Sequence, residues 1–565
     1  MKKFLNVRFM AIMLVAAFAL SFVGCAAAQN GLLGDANGGM GDALDGSVAG
    51  KPNAAPELSV PGIGNDNNYQ SGVMGGVNGE VMGGVNGETG AVADDEAGEV
   101  EGEVDAPDQD KPEEDCDQNV SSPTFIENPF INTAEQNTST FSADVDTASY
   151  SYFRKLVTYG YGFDQLKNGG NNFRTEEFIN YFKYDVAGPR EGELFGVHTE
   201  MSPCPWNSET MLFRVTLQAE QAEVTGGNNL VFLIDVSGSM SSQDKLPLLK
   251  KAFSYLVSNL DGDDTVSIVT YSGREAVVLD GCNGLDSTAI MNAINSLKAS
   301  GSTNGEAGLT MAYQIAEKHF KADGNNRIIM ASDGDLNVGI SSADQLTSYI
   351  EEKRDQGVYL SVLGFGTGNY KDDRMEALAD NGNGVYYYID GETEAEKVFG
   401  TDLLGTLYTV AEDVKLQIEF NSDRVESYRL IGYENRLLDK EDFENDAKDA
   451  GEVGASHQVT VCYEIKLGQQ TPGADTIMTL RVRYKNPGES LSLLNEYKLG
   501  DEIINAEPTA DTRFITAVIE ACMLLHGSEY ADDITLEDIL EDLDALVLED
   551  SYKEEFREII RNLAK

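Results

Sequence analysis

From residue 229 onward the chain switches repeatedly between short apolar runs and amphipathic stretches. Residues 230–234 (LVFLI) form an unbroken apolar run, the pattern of a strand buried on both faces. Residues 246–260 place Leu249, Phe253, Leu256, Val257 and Leu260 on one helical face. Further strands are predicted at 265–271, 276–279, 327–331, 358–365 and 385–389, with helices at 289–297, 307–320, 343–354 and 394–407. Alternating strand and helix marks a parallel sheet covered on both faces. The spacing therefore predicts an α/β domain with a doubly wound, mostly parallel sheet over 229–412.

The flanks have another rhythm. Residues 148–159 and 175–182 carry apolar or aromatic residues at helical spacing, and 212–217 alternates as a strand does. After about residue 414 strands follow one another without helices, at 415–420, 428–433, 458–465 and 477–484. That predicts a β-rich antiparallel region over 413–500, with helical segments at 512–525 and 536–563 inside a C-terminal region 501–565. Strand-like sequence on both sides of the α/β domain is the pattern expected of a domain inserted within a β-domain.

Before residue 123 the pattern vanishes. Residues 26–122 are rich in Gly, Asn, Asp and Glu, and the octapeptide VMGGVNGE at 73–80 recurs at 81–88. Such composition buries too little apolar surface to offset the entropy of ordering, so a disordered acidic tether is expected. The first 25 residues differ again: Lys2, Lys3 and Arg8 precede an apolar stretch from 9 to 23, shorter than the roughly 20 apolar residues that span a bilayer well. The segment Phe22-Val23-Gly24-Cys25 resembles the bacterial lipobox, with Phe22 where the pattern prefers Leu. On that resemblance Cys25 becomes a lipidated N-terminus, and a secretory leader cut near Ala26 to Ala28 is the alternative. The other five cysteines are widely spaced and odd in number, which excludes a complete disulfide framework and favours buried free thiols.

Composition narrows the chemistry. With 95 acidic against 41 basic side chains and a net charge of −54, no cation surplus exists to displace counterions from nucleic acid. Three segments concentrate oxygen donors: Asp235-Val236-Ser237-Gly238-Ser239 after the strand 230–234, Gly301-Ser302-Thr303-Asn304-Gly305 between two helices, and Ser332-Asp333-Gly334-Asp335 after the strand 327–331. Open α/β sheets place ligands at the C-terminal edge of their strands. Two carboxylates with three hydroxyls make an all-oxygen set suited to a hard divalent cation, Mg²⁺ or alternatively Mn²⁺ or Ca²⁺. Taken singly, Asp235 and Ser237 also suit helix caps, and Thr303 and Asp333 suit turns.

This trio resembles the metal-ion-dependent adhesion site of von Willebrand factor A domains. The resemblance implies Ser237, Ser239 and Thr303 as hydroxyl ligands and Asp235 and Asp333 as carboxylate ligands, direct or through water. Glu306, Asp335, Asn369 and Tyr370 are candidate rim residues. More widely, TFSADVDTASY (140–150), NLVFLIDVSGSM (229–240), GSTNGEAG (301–308), SVLGFGTGNYK (361–371) and LIGYENRLL (430–438) resemble a bacterial family of A-domain lipoproteins. That family has a characteristic segment before the A domain, here 123–228, and a C-terminal domain of unknown function; Ser332 stands where it usually has Thr.

The resemblance implies a protein held on a membrane of the cell envelope by its N-terminal lipid. Its bound ion would coordinate an Asp or Glu carboxylate of a partner protein. The alternative is a regulatory or structural envelope component whose metal only fixes loop conformation. A metallohydrolase ranks below both, since no HExxH, GxSxG or Walker A motif is present and His198, His319, His457 and His526 are scattered away from the site.

Overall fold

The computed structural model describes residues 126–169, 173–221, 226–301, 305–334, 343–366, 372–469, 475–531 and 534–565. The leader, Cys25 and the acidic stretch expected to be a tether lie outside the described residues.

Strands from both flanks build one β-sandwich. From the N-terminal side come β1 (Ile131–Asn132), β2 (Thr138–Ser142), β3 (Phe195–Pro203) and β4 (Met211–Ala219). The α/β segment follows with β5 (Asn228–Asp235), β6 (Thr265–Tyr271), β7 (Ala276–Asn283), β8 (Asn325–Ser332), β9 (Tyr359–Phe365) and β10 (Tyr386–Ile389). Six more strands complete the chain: β11 (Thr409–Phe420), β12 (Val425–Ile431), β13 (Gly451–Gly454), β14 (Gln458–Leu467), β15 (Thr476–Lys485) and β16 (Leu493–Gly500).

One antiparallel sheet runs β1-β12-β14-β4-β3; the other runs β13-β11-β15-β16, with β2 paired along β11 beside β13. Between them lie Phe141, Phe213, Val215 and Leu217 from one flank and Leu416, Ile418, Phe420, Val461 and Tyr463 from the other. Alternation puts Leu212 and Cys462 on the opposite face, where helices Ala148–Thr158, Thr175–Tyr181, Ala510–His526 and Ser551–Leu563 bury Tyr150, Phe153, Phe178, Phe514 and Phe556 over them. Residues 123–228 and 413–500 thus share both sheets.

The inserted sheet has the order β10-β9-β8-β5-β6-β7, parallel except for the edge strand β7. Every residue of β5 is buried. Leu230, Phe232 and Ile234 meet helix Leu246–Val257 on one face, and Val231 and Leu233 meet helix Gly305–Lys318 on the other. Each such side chain contributes about 1.5–3 kcal/mol on burial, which is why a five-residue apolar run locates the strand so well.

An ionic joint holds the N-terminal segment against this domain. Arg154 pairs with Asp390 and Glu394 at 2.7 Å each, and Asp146 accepts the Tyr386 amide at 2.9 Å. Arg436 reaches Glu376 and Asp380 at 2.8 Å, with Asp144 at 3.4 Å and Asp146 at 3.5 Å. The motif at 140–150 therefore supplies a structural joint.

Three expectations need correction. The helix expected at 394–407 is interrupted: Glu392–Glu396 passes into a π-turn at Lys397–Thr401 before Leu403–Leu407, with the Lys397 ammonium 2.6 Å from Asp402. The stretch 536–563 is two helices, Leu536–Asp544 and Ser551–Leu563, the second capped by Asp550. Strands β1, β2, β3, β13 and β16, and helices Phe163–Asn168 and Asp372–Asn381, were not expected. The buried free thiols are as expected: Cys204, Cys462 and Cys522 are free and buried, and burial pushes the first two up to about 12.

Candidate metal centre at the edge of the central sheet

Asp235, the last residue of β5, is fully buried and in register with Tyr271 at the end of β6. The chain then turns sharply: the Ser237 amide donates to Asp235 Oδ1 at 2.7 Å, and Gly238–Ser241 form a 3-10 turn. Ser237 flanks that turn, yet its hydroxyl makes no capping bond and sits 2.9 Å from the Ser239 hydroxyl instead. Helix Leu246–Val257 likewise starts without a side-chain cap. The capping alternative therefore does not account for the Ser237 hydroxyl, and Asp235 serves the local turn rather than the helix start.

Asp333 follows the last residue of β8 and is 1% exposed. Because β5 and β8 are adjacent and parallel, Asp235 and Asp333 emerge at one edge. The segment between the helices is drawn to the same place. Gly238 donates to the Gly301 carbonyl at 3.0 Å, and Ser300 donates to the Val236 carbonyl at 2.7 Å. Gly301 has φ +88°, and a Cβ there would stand 2.8 Å from Ser272 Oγ, so only glycine suits this approach. Thr303, Asp335, Asn369, Tyr370 and the side chain of Glu306 lie outside the described residues.

One participant escaped the sequence reading. Lys245 is 8% exposed, and its ammonium donates to Asp333 Oδ2 at 2.9 Å. It threads past Gly366, where φ is +76° and any Cβ would collide with Lys245 Cε. Tyr388 fixes that passage by donating to the Gly366 carbonyl at 2.7 Å. The signal in the sequence was faint: a lysine just before a helix start sits against the positive end of the helix dipole, a mildly unfavourable place that surface lysines often tolerate. Here the compensation is Asp333. Tyr271 completes the polar floor; burial, then the charge of Asp235, holds its phenol well above the usual range.

Whether these residues fit a divalent cation follows from their chemistry. The donors are all oxygen, with two carboxylates withdrawn from water and two hydroxyls adjoining them. Lys245 balances one of the two buried charges, so the group retains an excess of one negative charge, costly in a water-poor setting. A hard divalent ion suits such a set. Asp235, Ser237, Ser239 and Asp333 fit.

The family model described as "von Willebrand factor type A domain" matches residues 229–401, the one described as "von Willebrand factor" matches 119–214, and "Uncharacterized protein YfbK, C-terminal" matches 405–565. Uncharacterized protein YfbK of Escherichia coli (strain K12) is 40% identical over 441 residues, covering 74% of this chain and 76% of that protein. Inter-alpha-trypsin inhibitor heavy chain H3 of Homo sapiens is 26% identical over 257 residues, 42% of this chain and 28% of its own length. A solved von Willebrand factor type A structure from Catenulispora acidiphila superposes with a TM-score of 0.38 at 17% identity, covering 64% of this chain and 83% of that one. Domains of this type commonly mediate protein–protein interaction, some of them through a metal, and are mostly non-enzymatic. With matches running through the pre-domain segment, the α/β domain and the C-terminal region, this chain belongs to the YfbK family of von Willebrand factor type A domain proteins.

Proposed function

We propose that this protein is a lipid-anchored component of the cell envelope. Its α/β domain holds a Mg²⁺-type ion and, through it, grips an Asp or Glu carboxylate of a protein partner. Asp235, Ser237, Ser239 and Asp333 would hold the ion, with Thr303 added by the resemblance. A bound divalent ion supplies a Lewis-acidic position open to an outside carboxylate.

The observation that carries this reading is the Lys245–Asp333 contact beside buried Asp235. Two carboxylates alone would neutralise a divalent ion. Lys245 leaves the loaded centre one charge positive, and an anionic group from outside restores balance. The chain's own surface is strongly acidic, so the attraction is local to this edge. Envelope location and membrane anchoring rest on the leader and on Cys25.

The test is capture of partners from solubilised envelope by full-length protein, with Mg²⁺ or with chelator, for wild type and Asp235→Ala. Loss of the same captured protein on chelation and on substitution is expected. Capture that survives both would favour the reading in which the metal only fixes loop conformation.

A further inference from the structure

A second group of carboxylates lies on the seam between the inserted domain and the sandwich. One oxygen from each of Asp413, Asp449 and Glu452 falls within 4.8 Å of the others. Asp413 occupies the irregularity of β11 between Glu412 and Lys415, and Glu452 lies on the neighbouring β13. Two oxygens on opposite sides of a Ca²⁺ ion, each at about 2.4 Å, are separated by about 4.8 Å, so this spacing admits a shared ion.

Glu452 gives the independent reason. It is only 8% exposed, and its Oε1 is buried with no hydrogen-bond partner. The buried Arg327 feels its charge, but its hydrogen bonds go to the Ser361 and Thr409 hydroxyls at 2.8 and 3.1 Å, leaving Glu452 Oε1 without a donor. Burial, then the charges of Asp449, Asp413, Asp380 and Glu412, drive the Glu452 carboxyl well above its ordinary value. A buried carboxylate aimed at two others is a standing electrostatic cost unless a proton or a cation occupies the space between them. The partners of the other two leave room for a cation. Asp413 accepts from Lys485 at 2.5 Å and from the Ala450 amide at 2.9 Å; Asp449 accepts from Arg354 at 3.1 Å. These contacts engage both oxygens of Asp413 and one of Asp449, each through one lone pair, so the carboxyls are oriented and keep further lone pairs for an ion.

We propose that Asp413, Asp449 and Glu452 form a second cation site of the calcium type, tying the loop before β13 to β11 on the sandwich side of the seam. Calcium is favoured because the donors are all oxygens in an irregular array, and because the Asp449 side chain is half exposed and admits waters to fill the six to eight positions this ion takes. The site adjoins two contacts that do cross the seam and would hold their acceptors in place: Arg354, on helix Ala343–Asp355, pairs with Asp449, and Tyr359 on β9 donates to Glu412 of β11 at 2.8 Å. This site shares no residue with the centre at Asp235 and stands independently of the function proposed for it.

The test is equilibrium dialysis of the full-length protein against radioactive Ca²⁺ in excess Mg²⁺, alongside thermal unfolding. Asp235→Ala should still bind Ca²⁺. Glu452→Gln should lose that binding while unfolding at the wild-type temperature in chelator, since glutamine copies the protonated acid in shape and charge. Asp449→Asn, altering an exposed side chain, should bind at least about tenfold more weakly. Ca²⁺ binding unchanged in Glu452→Gln, or absent from Asp235→Ala, would overturn the proposal.

Discussion

Replacing Lys245 by Met tests the electrostatics of the metal centre most directly. The substitution keeps the length and the apolar stem that passes Gly366 and removes only the ammonium held 2.9 Å from Asp333. Two effects of opposite sign follow. In chelator, a buried ion pair has lost one partner, which typically costs about 3–5 kcal/mol. At about 2–4 °C per kcal/mol for a domain of this size, the inserted domain should melt roughly 6–20 °C lower. In metal, the repulsion between Lys245 and the incoming ion is gone. One charge acting on two at about 5 Å with an effective dielectric near 20 amounts to roughly 6 kcal/mol before screening; half of that is still about a hundredfold tighter binding. Lys245→Met should therefore be destabilised without metal and disproportionately rescued by Mg²⁺. Calorimetric titration and thermal unfolding across a Mg²⁺ series measure both. A dissociation constant within about threefold of wild type would refute the claim that Lys245 shares the site's charge.

Other outcomes follow from the same structure. Asp235→Ala should abolish the metal-dependent rise in melting temperature yet leave the domain folded, because β5 is held by its apolar neighbours; Ser237→Ala and Ser239→Ala should only weaken the rise. Cys25→Ser should move the protein from the membrane to the soluble fraction on carbonate extraction and flotation, and undiminished membrane association would contradict lipidation. Glu520, raised from 4.5 to about 8 by burial and then by Asp542 and Asp538, binds its proton more tightly folded than unfolded. Its contribution is full below about pH 4.5 and is lost as pH rises through about 8, so Glu520→Gln should remove that downward slope in urea unfolding measured at intervals across the window.

The α/β segment was legible because its signal is local. The run 230–234 is apolar since both faces of β5 are buried; Asp235 stands directly after that run, and Asp333 directly after Ser332 at the end of β8. The sandwich was less legible because its strands mix faces. β16 is an edge strand whose outer residues, Leu493 and Leu494 among them, are about half exposed, so no clean alternation marks it. Among the described residues β3 ladders with β4 on one side, meets besides just an isolated bridge at Met201–Ile504, and carries His198 and Glu200 among its apolar residues. Lys245 was hidden for a different reason. A lone lysine at a helix start is common on a surface, and only the path past Gly366 shows that its charge goes inward. The break at Lys397 was equally silent, because a π-turn preserves the apolar positions on either side of it.

The interleaved sandwich also sets an order of assembly on the ribosome. Strand β4 meets β3 within a few residues, but its other neighbour, β14, is far downstream; Thr216 and Thr460, whose hydroxyls meet at 3.0 Å, are 244 positions apart. At about 5–20 residues per second, the first hairpin waits roughly 12–50 seconds for its partner to be made. The intervening α/β segment, whose parallel pairings all join its own strands, can close during that interval. Synthesis thus completes the inserted domain before the support on which it is mounted. During the wait, β4 presents an open hydrogen-bonding edge, the kind of surface on which chaperones and aggregation compete.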